Sequence, residues 1–208
     1  MLDYEKPLHQ KGYKLIVGCD EAGRGPLCGP VVCAACIMPE NYVNDDINDS
    51  KKLTDKKRRD LYPLIIKDSI AFAIVVISPQ EIDRINIYEA SRKGMQDAIE
   101  ALNIKPDYIL TDAMPLKKFK DIPTEAIIKG DAKAINIAAA SILAKVSRDN
   151  IMEELDKKYP QYQFAKHKGY PTKLHLELLE KYGPIKEIYR FSYKPVQKFN
   201  YEQIKLDI

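Results

Sequence analysis

The apolar residues of this chain fall into short runs, separated by polar, glycine-rich or proline-rich segments. Runs of about four to eight residues bounded in this way are typical of β-strands. The longest uninterrupted run covers residues 31–38, and it indicates a strand buried on both faces. The pattern predicts five strands, at residues 14–19, 31–38, 71–77, 108–110 and 125–128.

Other segments carry apolar residues three and four positions apart, which is the period of a helix with one buried face. One such helix is predicted over residues 87–102, and the strongest pattern covers residues 132–158. A helix over residues 54–67 is expected to be kinked at Pro63, because proline lacks the N–H that a helix interior uses. A further helix is predicted over residues 172–182.

The order of these elements indicates the fold class. Three strands come first, and strands then alternate with helices, so we expect an α/β protein with a mixed five-stranded sheet and helices on both sides. At about 150 residues per domain, the 208 residues are expected to form one domain. Residues 1–12 are polar and are expected to be a loose leader.

Composition narrows the class of protein. Hydrophobic residues make up 45% of the chain and charged residues 30%, which excludes a fibrous or largely disordered chain. The run at residues 31–38 is far shorter than the roughly 20 residues that span a bilayer. The N-terminus carries acids and Pro7 where a signal peptide would need an apolar stretch. We therefore expect a cytoplasmic protein that does not contact a membrane.

Charge is clustered although the net charge is only +3. Residues 51–59 hold six basic side chains and one acid. Such a block is either a solvated face or a patch that binds phosphate groups, and the sequence leaves both interpretations open.

The four cysteines all lie within the first 36 residues. Cys33 and Cys36 are spaced like a metal-binding or redox pair, but they lie in a predicted strand. Side chains alternate faces along a strand, so residues three apart point in opposite directions and cannot share a metal ion. These cysteines are predicted to be small buried residues.

Four acids lie at or just after the ends of predicted strands: Asp20 and Glu21 follow the first, Asp112 the fourth and Asp131 the fifth. In open α/β sheets, sites form at the carboxyl ends of strands. Two carboxylates ~4 Å apart repel by about 4 kcal/mol at an effective dielectric near 20, so a cluster of them would favour bound cations. Oxygen ligands favour Mg²⁺ or Mn²⁺. Two such ions can activate a water and stabilise the leaving oxygen in phosphodiester cleavage.

Each acid also has a simpler interpretation. Asp20 and Glu21 are adjacent, so a regular strand would send them to opposite faces unless the chain bends after them. Asp112 could be an ordinary turn residue. Asp131 could be the N-cap of the following helix.

The glycine-rich segment after the first strand has two interpretations. A dinucleotide-binding fingerprint requires Gly-x-Gly-x-x-Gly, but Gly29 comes one position late after Gly23 and Gly25, and Pro26 interrupts the helix start. Alternatively, the missing side chains let the backbone approach a sugar-phosphate, where N–H and C=O groups could recognise a ribose 2′-hydroxyl.

Five blocks of the sequence together resemble the bacterial ribonuclease HII family, the type 2 ribonucleases H. The first is Asp-Glu-Ala-Gly-Arg-Gly-Pro at residues 20–26. The others follow in the family's order at residues 49–53, 129–131, 139–149 and 167–172. The resemblance covers about residues 14–196, which leaves a short leader and a C-terminal tail.

The resemblance implies a ribonuclease H-like fold with a helical C-terminal part. It implies an endonuclease that cuts the RNA strand of RNA–DNA hybrids and nicks 5′ of single ribonucleotides in duplex DNA, leaving 3′-hydroxyl and 5′-phosphate ends. The family's acidic ligands correspond to Asp20, Glu21, Asp112 and Asp131. The substrate-binding residues that it implies are Gly23, Arg24, Gly25, Ser50, Lys51 and Tyr170.

Within the implied site, Gly23, Arg24 and Gly25 correspond to the loop that recognises the ribose. Tyr170 corresponds to the tyrosine at the RNA-to-DNA junction, where its ring would pack on a deoxyribose. Arg148 and Asp149 are expected to support the structure around the site.

We therefore expect a metal-dependent endoribonuclease that acts as a monomer in DNA replication and repair. The alternatives are a non-catalytic nucleic-acid-binding module that uses residues 51–59 and Tyr170, and a nucleotide-cofactor enzyme. Nicking of a ribonucleotide-containing duplex that depends on Mg²⁺ or Mn²⁺ would be expected only from the endoribonuclease.

Overall fold

A computed structural model describes residues 4–47 and 53–200 of the chain. Its centre is a five-stranded mixed sheet with the strand order β3-β2-β1-β4-β5. The strands are β1 Ile16–Ala22, β2 Val31–Ile37, β3 Ala71–Ile77, β4 Tyr108–Asp112 and β5 Thr124–Ile127. Strands β1, β2 and β3 pair antiparallel, whereas β4 runs parallel to β1 and β5 parallel to β4.

Helices cover both faces of this sheet, as the sequence predicts. The helices are α1 Glu5–Gln10, α2 Asp55–Asp68, α3 Pro79–Ile85, α4 Ile87–Glu100, α5 Ile135–Lys158, α6 Phe164–His167, α7 Lys173–Tyr182 and α8 Lys194–Gln197. Short 3₁₀ turns lie at Gly130–Ala132 and Pro160–Tyr162. Within the described ranges, no helix has both the length and the apolar character that crossing a membrane requires.

The alternation of side chains along β2 divides the core into two layers. Cys33 belongs to the layer between the sheet and α4, and Cys36 belongs to the layer beneath α2 and α5. The prediction that these two thiols point in opposite directions is therefore confirmed. All four cysteines are buried and unbridged.

Helix α5 packs directly on β1 because β1 has a glycine where the two backbones meet. A Cβ built on Gly18 would lie 2.1 Å from the carbonyl carbon of Asn136 and 2.2 Å from the amide nitrogen of Ile137. This close contact holds α5 across β1, two residues before Asp20. It therefore fixes the position of one of the four predicted acids.

Helices α1 and α2 bear on two predictions from the sequence. The prediction of a loose N-terminal leader is wrong for residues 5–10, which form α1. Glu5 is buried there, and its Oε1 accepts hydrogen bonds from the backbone N and the Nδ2 of Asn136. Helix α2 begins at the predicted Thr54 cap and continues through Pro63.

The helical C-terminal part forms a separate apolar cluster beyond the end of the sheet. Phe164, Tyr189 and Val196 pack there with Met152, which lies on the last turns of α5. Two segments connect this cluster to the loop after β1. Cys28 and Tyr189 form an isolated antiparallel bridge, and Leu27 N–H donates to the carbonyl of Gly169.

Candidate metal and nucleic-acid site

The ends of β1 and β4 bring two of the predicted acids together. The strands are parallel, with Cys19 beside Thr111, so that Asp20 and Asp112 are the next residues along the same edge. Asp20 is buried and Asp112 is partly buried. The prediction that acids at the carboxyl ends of strands converge is therefore confirmed for this pair.

Asp131 reaches the same edge from the turn that follows β5. Lys129 adopts a left-handed conformation with φ of 57°, and the chain then forms the 3₁₀ turn that contains Asp131. The backbone N–H of Gly130 donates to Oδ1 of Asp112 over 2.8 Å. The alternative that Asp131 caps the next helix is wrong, because the N-cap of α5 is Ala134.

These three aspartates form one cluster of ligand atoms. One carboxylate oxygen each from Asp20, Asp112 and Asp131 lies within 4.8 Å of the other two. Oxygens at such spacing can bind one divalent cation, and a donor set made only of carboxylates favours a hard ion such as Mg²⁺ or Mn²⁺.

The pKa of Asp20 is raised in this cluster. Burial raises the pKa of Asp20 well above its usual range, and the nearby charges of Glu21 and Asp112 raise it further. Two groups oppose this effect: the backbone N–H of Glu21, which donates to Asp20 Oδ1 over 2.7 Å, and the side chain of Ser141. A cation among the carboxylates would favour the ionised form that desolvation disfavours.

Glu21 lies beside this cluster but is not one of its three members. Strand β1 stays regular through Ala22, and Asp20 and Glu21 therefore alternate faces. The Glu21 side chain still lines the same cleft, where its Oε1 lies 3.4 Å from Nη1 of Arg24. The structure thus brings three of the four predicted acids together and places the fourth at the cleft wall.

The cleft above the cluster has a volume of about 410 Å³. The predicted substrate residues Gly23, Arg24, Gly25 and Tyr170 line it together with Asp20, Glu21 and Asp112. A Cβ built on Gly25 would lie 3.6 Å from the Tyr170 ring, so these two predicted substrate contacts are neighbours. Tyr170 is 41% exposed and faces this open space.

The glycine-rich loop does not belong to a dinucleotide site. That fingerprint joins a strand to a helix, whereas this loop leads from β1 into β2, its antiparallel neighbour. Gly23 has a φ of +103°, and a Cβ there would lie 2.1 Å from Nε of Arg148. The glycine is thus required by backbone conformation and by the arginine packed beneath it.

Two histidines support the segment that carries Tyr170. The rings of His167 and His175 stack with their centroids 4.0 Å apart. His175 Nδ1 lies 2.9 Å from the Tyr170 carbonyl, and the Gly169 N–H donates to His167 Nδ1. Burial lowers the pKa of His175 to about 4, so this ring is neutral at pH 7 and contacts the loop as a fixed tautomer.

The structure adds two residues to the cleft that the sequence reasoning did not assign. Ser141 and Lys145 line it from α5, one helical turn apart. Lys145 Nζ is 2.7 Å from Asp149 Oδ1, and burial lowers the pKa of this lysine. The signal that could have found them is their four-residue spacing on the helix face that meets Asp20.

The structure describes only part of the basic block. Ser50 and Lys51, both predicted substrate contacts, lie outside the described residues. On α2, Lys57 pairs with Asp46, Arg58 pairs with Asp55, and Arg59 pairs with Asp55 and Glu153. These acids neutralise part of the block, while Lys56 is exposed.

Comparison with known proteins decides the family. The family model for ribonuclease HII matches residues 17–196. Ribonuclease HII of Bacillus cereus (strain AH820) is 51% identical over 197 residues, which is 95% of this chain and 76% of that protein. The chain belongs to the ribonuclease HII family. As a member of this family it is a ribonuclease H, an endoribonuclease that acts on RNA–DNA hybrids.

Solved structures agree with this fold. Ribonuclease H2 from Pyrococcus horikoshii OT3 matches with a TM-score of 0.76 and 28% identity, over 91% of this chain and 99% of that one. Bst-RNase HIII in complex with Mn²⁺ matches with a TM-score of 0.71 and 19% identity, over 95% of this chain and 72% of that one. The ribonuclease H-like fold that the resemblance implies is thereby confirmed.

Proposed function

We propose that this ribonuclease H cuts the RNA strand of RNA–DNA hybrids and also nicks DNA duplexes on the 5′ side of single embedded ribonucleotides. Each cut would leave a 3′-hydroxyl and a 5′-phosphate. The observation that carries the proposal is the cluster of Asp20, Asp112 and Asp131, with one oxygen of each within 4.8 Å of the other two.

A divalent cation fits this cluster. Its donors are all carboxylate oxygens, and a cation would offset both the burial of Asp20 and the nearby charges of Glu21 and Asp112, which together raise the pKa of Asp20. Asp20, Asp112 and Asp131 would hold the ion, with Glu21 at the cleft wall completing the acidic set. When bound, Mg²⁺ or Mn²⁺ supplies a Lewis acid that polarises a phosphoryl oxygen and lowers the pKa of water.

The other cleft residues would position the substrate. Gly23, Arg24 and Gly25 offer backbone groups close to the cluster, as recognition of a ribose 2′-hydroxyl requires. The exposed ring of Tyr170 would pack on the adjacent deoxyribose. Lys145 would contribute positive charge near the scissile phosphate.

A labelled DNA duplex with one ribonucleotide tests the proposal. Incubation with Mg²⁺, Mn²⁺ or EDTA should give one nick, 5′ of the ribonucleotide, only when a divalent ion is present. An all-DNA duplex of the same sequence should stay intact. Binding without cleavage in both metals would instead support the non-catalytic module.

The proposal extends to the setting in which the chain acts. Its substrates would be hybrids and ribonucleotides left in DNA, so we place it in the cytoplasm, in replication and repair. We also propose that it acts as a monomer, because all of the acids and loops at the cleft come from one chain.

A further inference from the structure

The guanidinium group of Arg190 lies completely buried beneath the loop that follows β1. Four carbonyl groups of this loop accept its hydrogen bonds. Nη2 donates to Gly23 over 2.7 Å, Nη1 to Arg24 over 3.2 Å and to Pro26 over 2.9 Å, and Nε to Gly29 over 2.9 Å. One side chain thus forms hydrogen bonds along the glycine-rich loop from Gly23 to Gly29.

The groups that accept hydrogen bonds from the Arg190 guanidinium are all neutral. Apart from the four carbonyls, the hydroxyl of Tyr193 accepts from Nη1, and that hydroxyl itself donates to the carbonyl of Arg24. Among the described residues, no carboxylate forms a hydrogen bond with Arg190. A buried charge that no carboxylate contacts by a hydrogen bond is costly, so the loop carbonyls must stay directed at the guanidinium and satisfy its N–H groups.

The orientation of those carbonyls fixes the amides next to them. Every described peptide bond is trans, and in a trans peptide the C=O of one residue and the N–H of the next point in opposite directions. The Gly23 and Arg24 carbonyls point at Arg190, so the N–H groups of Arg24 and Gly25 point away from it. Within residues 4–47 and 53–200, neither N–H has a hydrogen-bond acceptor.

Gly23, Arg24 and Gly25 line the cleft, whereas Arg190, beneath their carbonyls, is fully buried and does not line it. We infer that Arg190 is a positioning residue that turns the Arg24 and Gly25 N–H groups into the cleft, where they donate to the 2′-oxygen of a ribose. Arg190 itself does not touch the substrate. The inference rests on the proposed function and adds the residue that sets its sugar selectivity.

A second buried arginine ties this loop to the segment of Tyr170. Arg148 donates to the carbonyls of Cys28, Pro30 and Lys168, and its Nε lies where a side chain at Gly23 would be. Arg148 therefore links the loop that Arg190 binds to the segment that carries Tyr170.

Two variants test the role of Arg190. Arg190→Lys keeps the charge but replaces the planar fork with one ammonium that cannot reach four carbonyls at these angles. Tyr193→Phe removes only the hydroxyl that helps to fix the Arg24 carbonyl. The measurement is the ratio of two affinities, for a duplex with one ribonucleotide and for the same duplex entirely of DNA, with EDTA present so that no cleavage occurs.

The wild type should prefer the ribonucleotide duplex. Arg190→Lys should lower that preference by about tenfold, the value of one or two lost hydrogen bonds, and leave the all-DNA affinity unchanged. Tyr193→Phe should lower the preference for the ribonucleotide duplex by a smaller factor. Ile99→Ala, which opens the core beneath α4, should lose thermal stability but keep the preference.

The outcomes separate the two proposals. If the wild type neither prefers nor nicks the ribonucleotide duplex, the proposed function fails and this inference fails with it. If the wild type does both, and folded Arg190→Lys and Tyr193→Phe keep the full preference, only the role of Arg190 is wrong. Should Arg190→Lys not fold, an unchanged preference in Tyr193→Phe is enough to overturn it.

Discussion

Asp112 accepts a hydrogen bond from the backbone N–H of Gly130 over 2.8 Å. The bond joins the end of β4 to the turn that carries Asp131, so the backbone itself sets the separation of two clustered carboxylates. In the proposed cation site, one carboxylate would therefore be oriented by a main-chain N–H before an ion binds.

Replacing Asp112 or Asp20 with asparagine should abolish most cleavage without unfolding the protein. Asparagine at 112 keeps an acceptor for the Gly130 N–H but removes a charge that a cation needs. We expect a loss of about a hundredfold or more in the cleavage rate, since metal assistance contributes several kcal/mol. Duplex binding should be retained, as a gel-shift assay can measure.

Asp121→Asn serves as the control for this pair, because Asp121 is exposed and lies outside the cleft. It should cleave like the wild type. Wild-type turnover by Asp20→Asn or Asp112→Asn would remove that residue from the mechanism.

Manganese should stabilise the folded chain through the same three aspartates. An ion that binds only the folded state raises the free energy of unfolding by RT ln(1 + [ion]/Kd), about 2.7 kcal/mol at one hundred times Kd. The melting temperature of the wild type should therefore rise with added MnCl₂. Asp20→Asn should show little rise, and an equal rise in this variant would place the ion elsewhere.

The ring of Tyr170 should matter for ribonucleotides next to DNA. Tyr170→Ala removes a ring beside Gly25, and losing its packing on a sugar should cost about threefold to tenfold in nicking at the RNA-to-DNA junction. Tyr170→Phe keeps the ring and should keep most activity. Tyr88→Ala is a matched control, since Tyr88 is also 41% exposed but lies on α4.

Glu5 should make stability depend on pH. Burial raises the pKa of Glu5 from its ordinary value of 4.5 to about 7, and among the described residues its Oε2 has no hydrogen-bond partner. Because the pKa is higher in the folded state, the stability it contributes is complete below about pH 4.5 and is lost as pH rises through 7. The shift corresponds to about 3 kcal/mol.

Glu5→Gln should remove this dependence. In urea unfolding at pH 5 to 8, the free energy of unfolding of the variant, relative to that of the wild type, should increase as pH rises. The difference between the two proteins isolates Glu5 from the buried His167 and His175, whose lowered pKa values act in the opposite direction. Glu187 is exposed, and Glu187→Gln should have the same free energy of unfolding as the wild type at every pH. A constant difference across this range would contradict the assignment.

The sequence predicts the sheet and the acids that follow its strands because both signals are local. Apolar runs mark the strands, and Asp20 and Asp112 follow such runs directly. Asp131 also follows a predicted strand, but the choice between the cluster and a cap of α5 required the fold, which places Asp131 in the 3₁₀ turn after β5.

Helix α1 and the burial of Arg190 depend on contacts between residues far apart in the chain, and the sequence did not predict them. Helix α1 contains Pro7 and has no apolar period, and its Glu5 is fixed by Asn136, 131 positions later. Arg190 lies among Tyr189, Phe191 and Tyr193, and the four loop carbonyls that accept its hydrogen bonds are more than 160 positions away. Such contacts leave no pattern in neighbouring residues.

The distance along the chain between the clustered aspartates has a consequence for biosynthesis. A nascent polypeptide that has emerged only as far as β4 carries Asp20 and Asp112 without Asp131, and it lacks the helix that packs over Gly18. Nuclease chemistry would therefore arise late in translation, after most of the protein has left the ribosome.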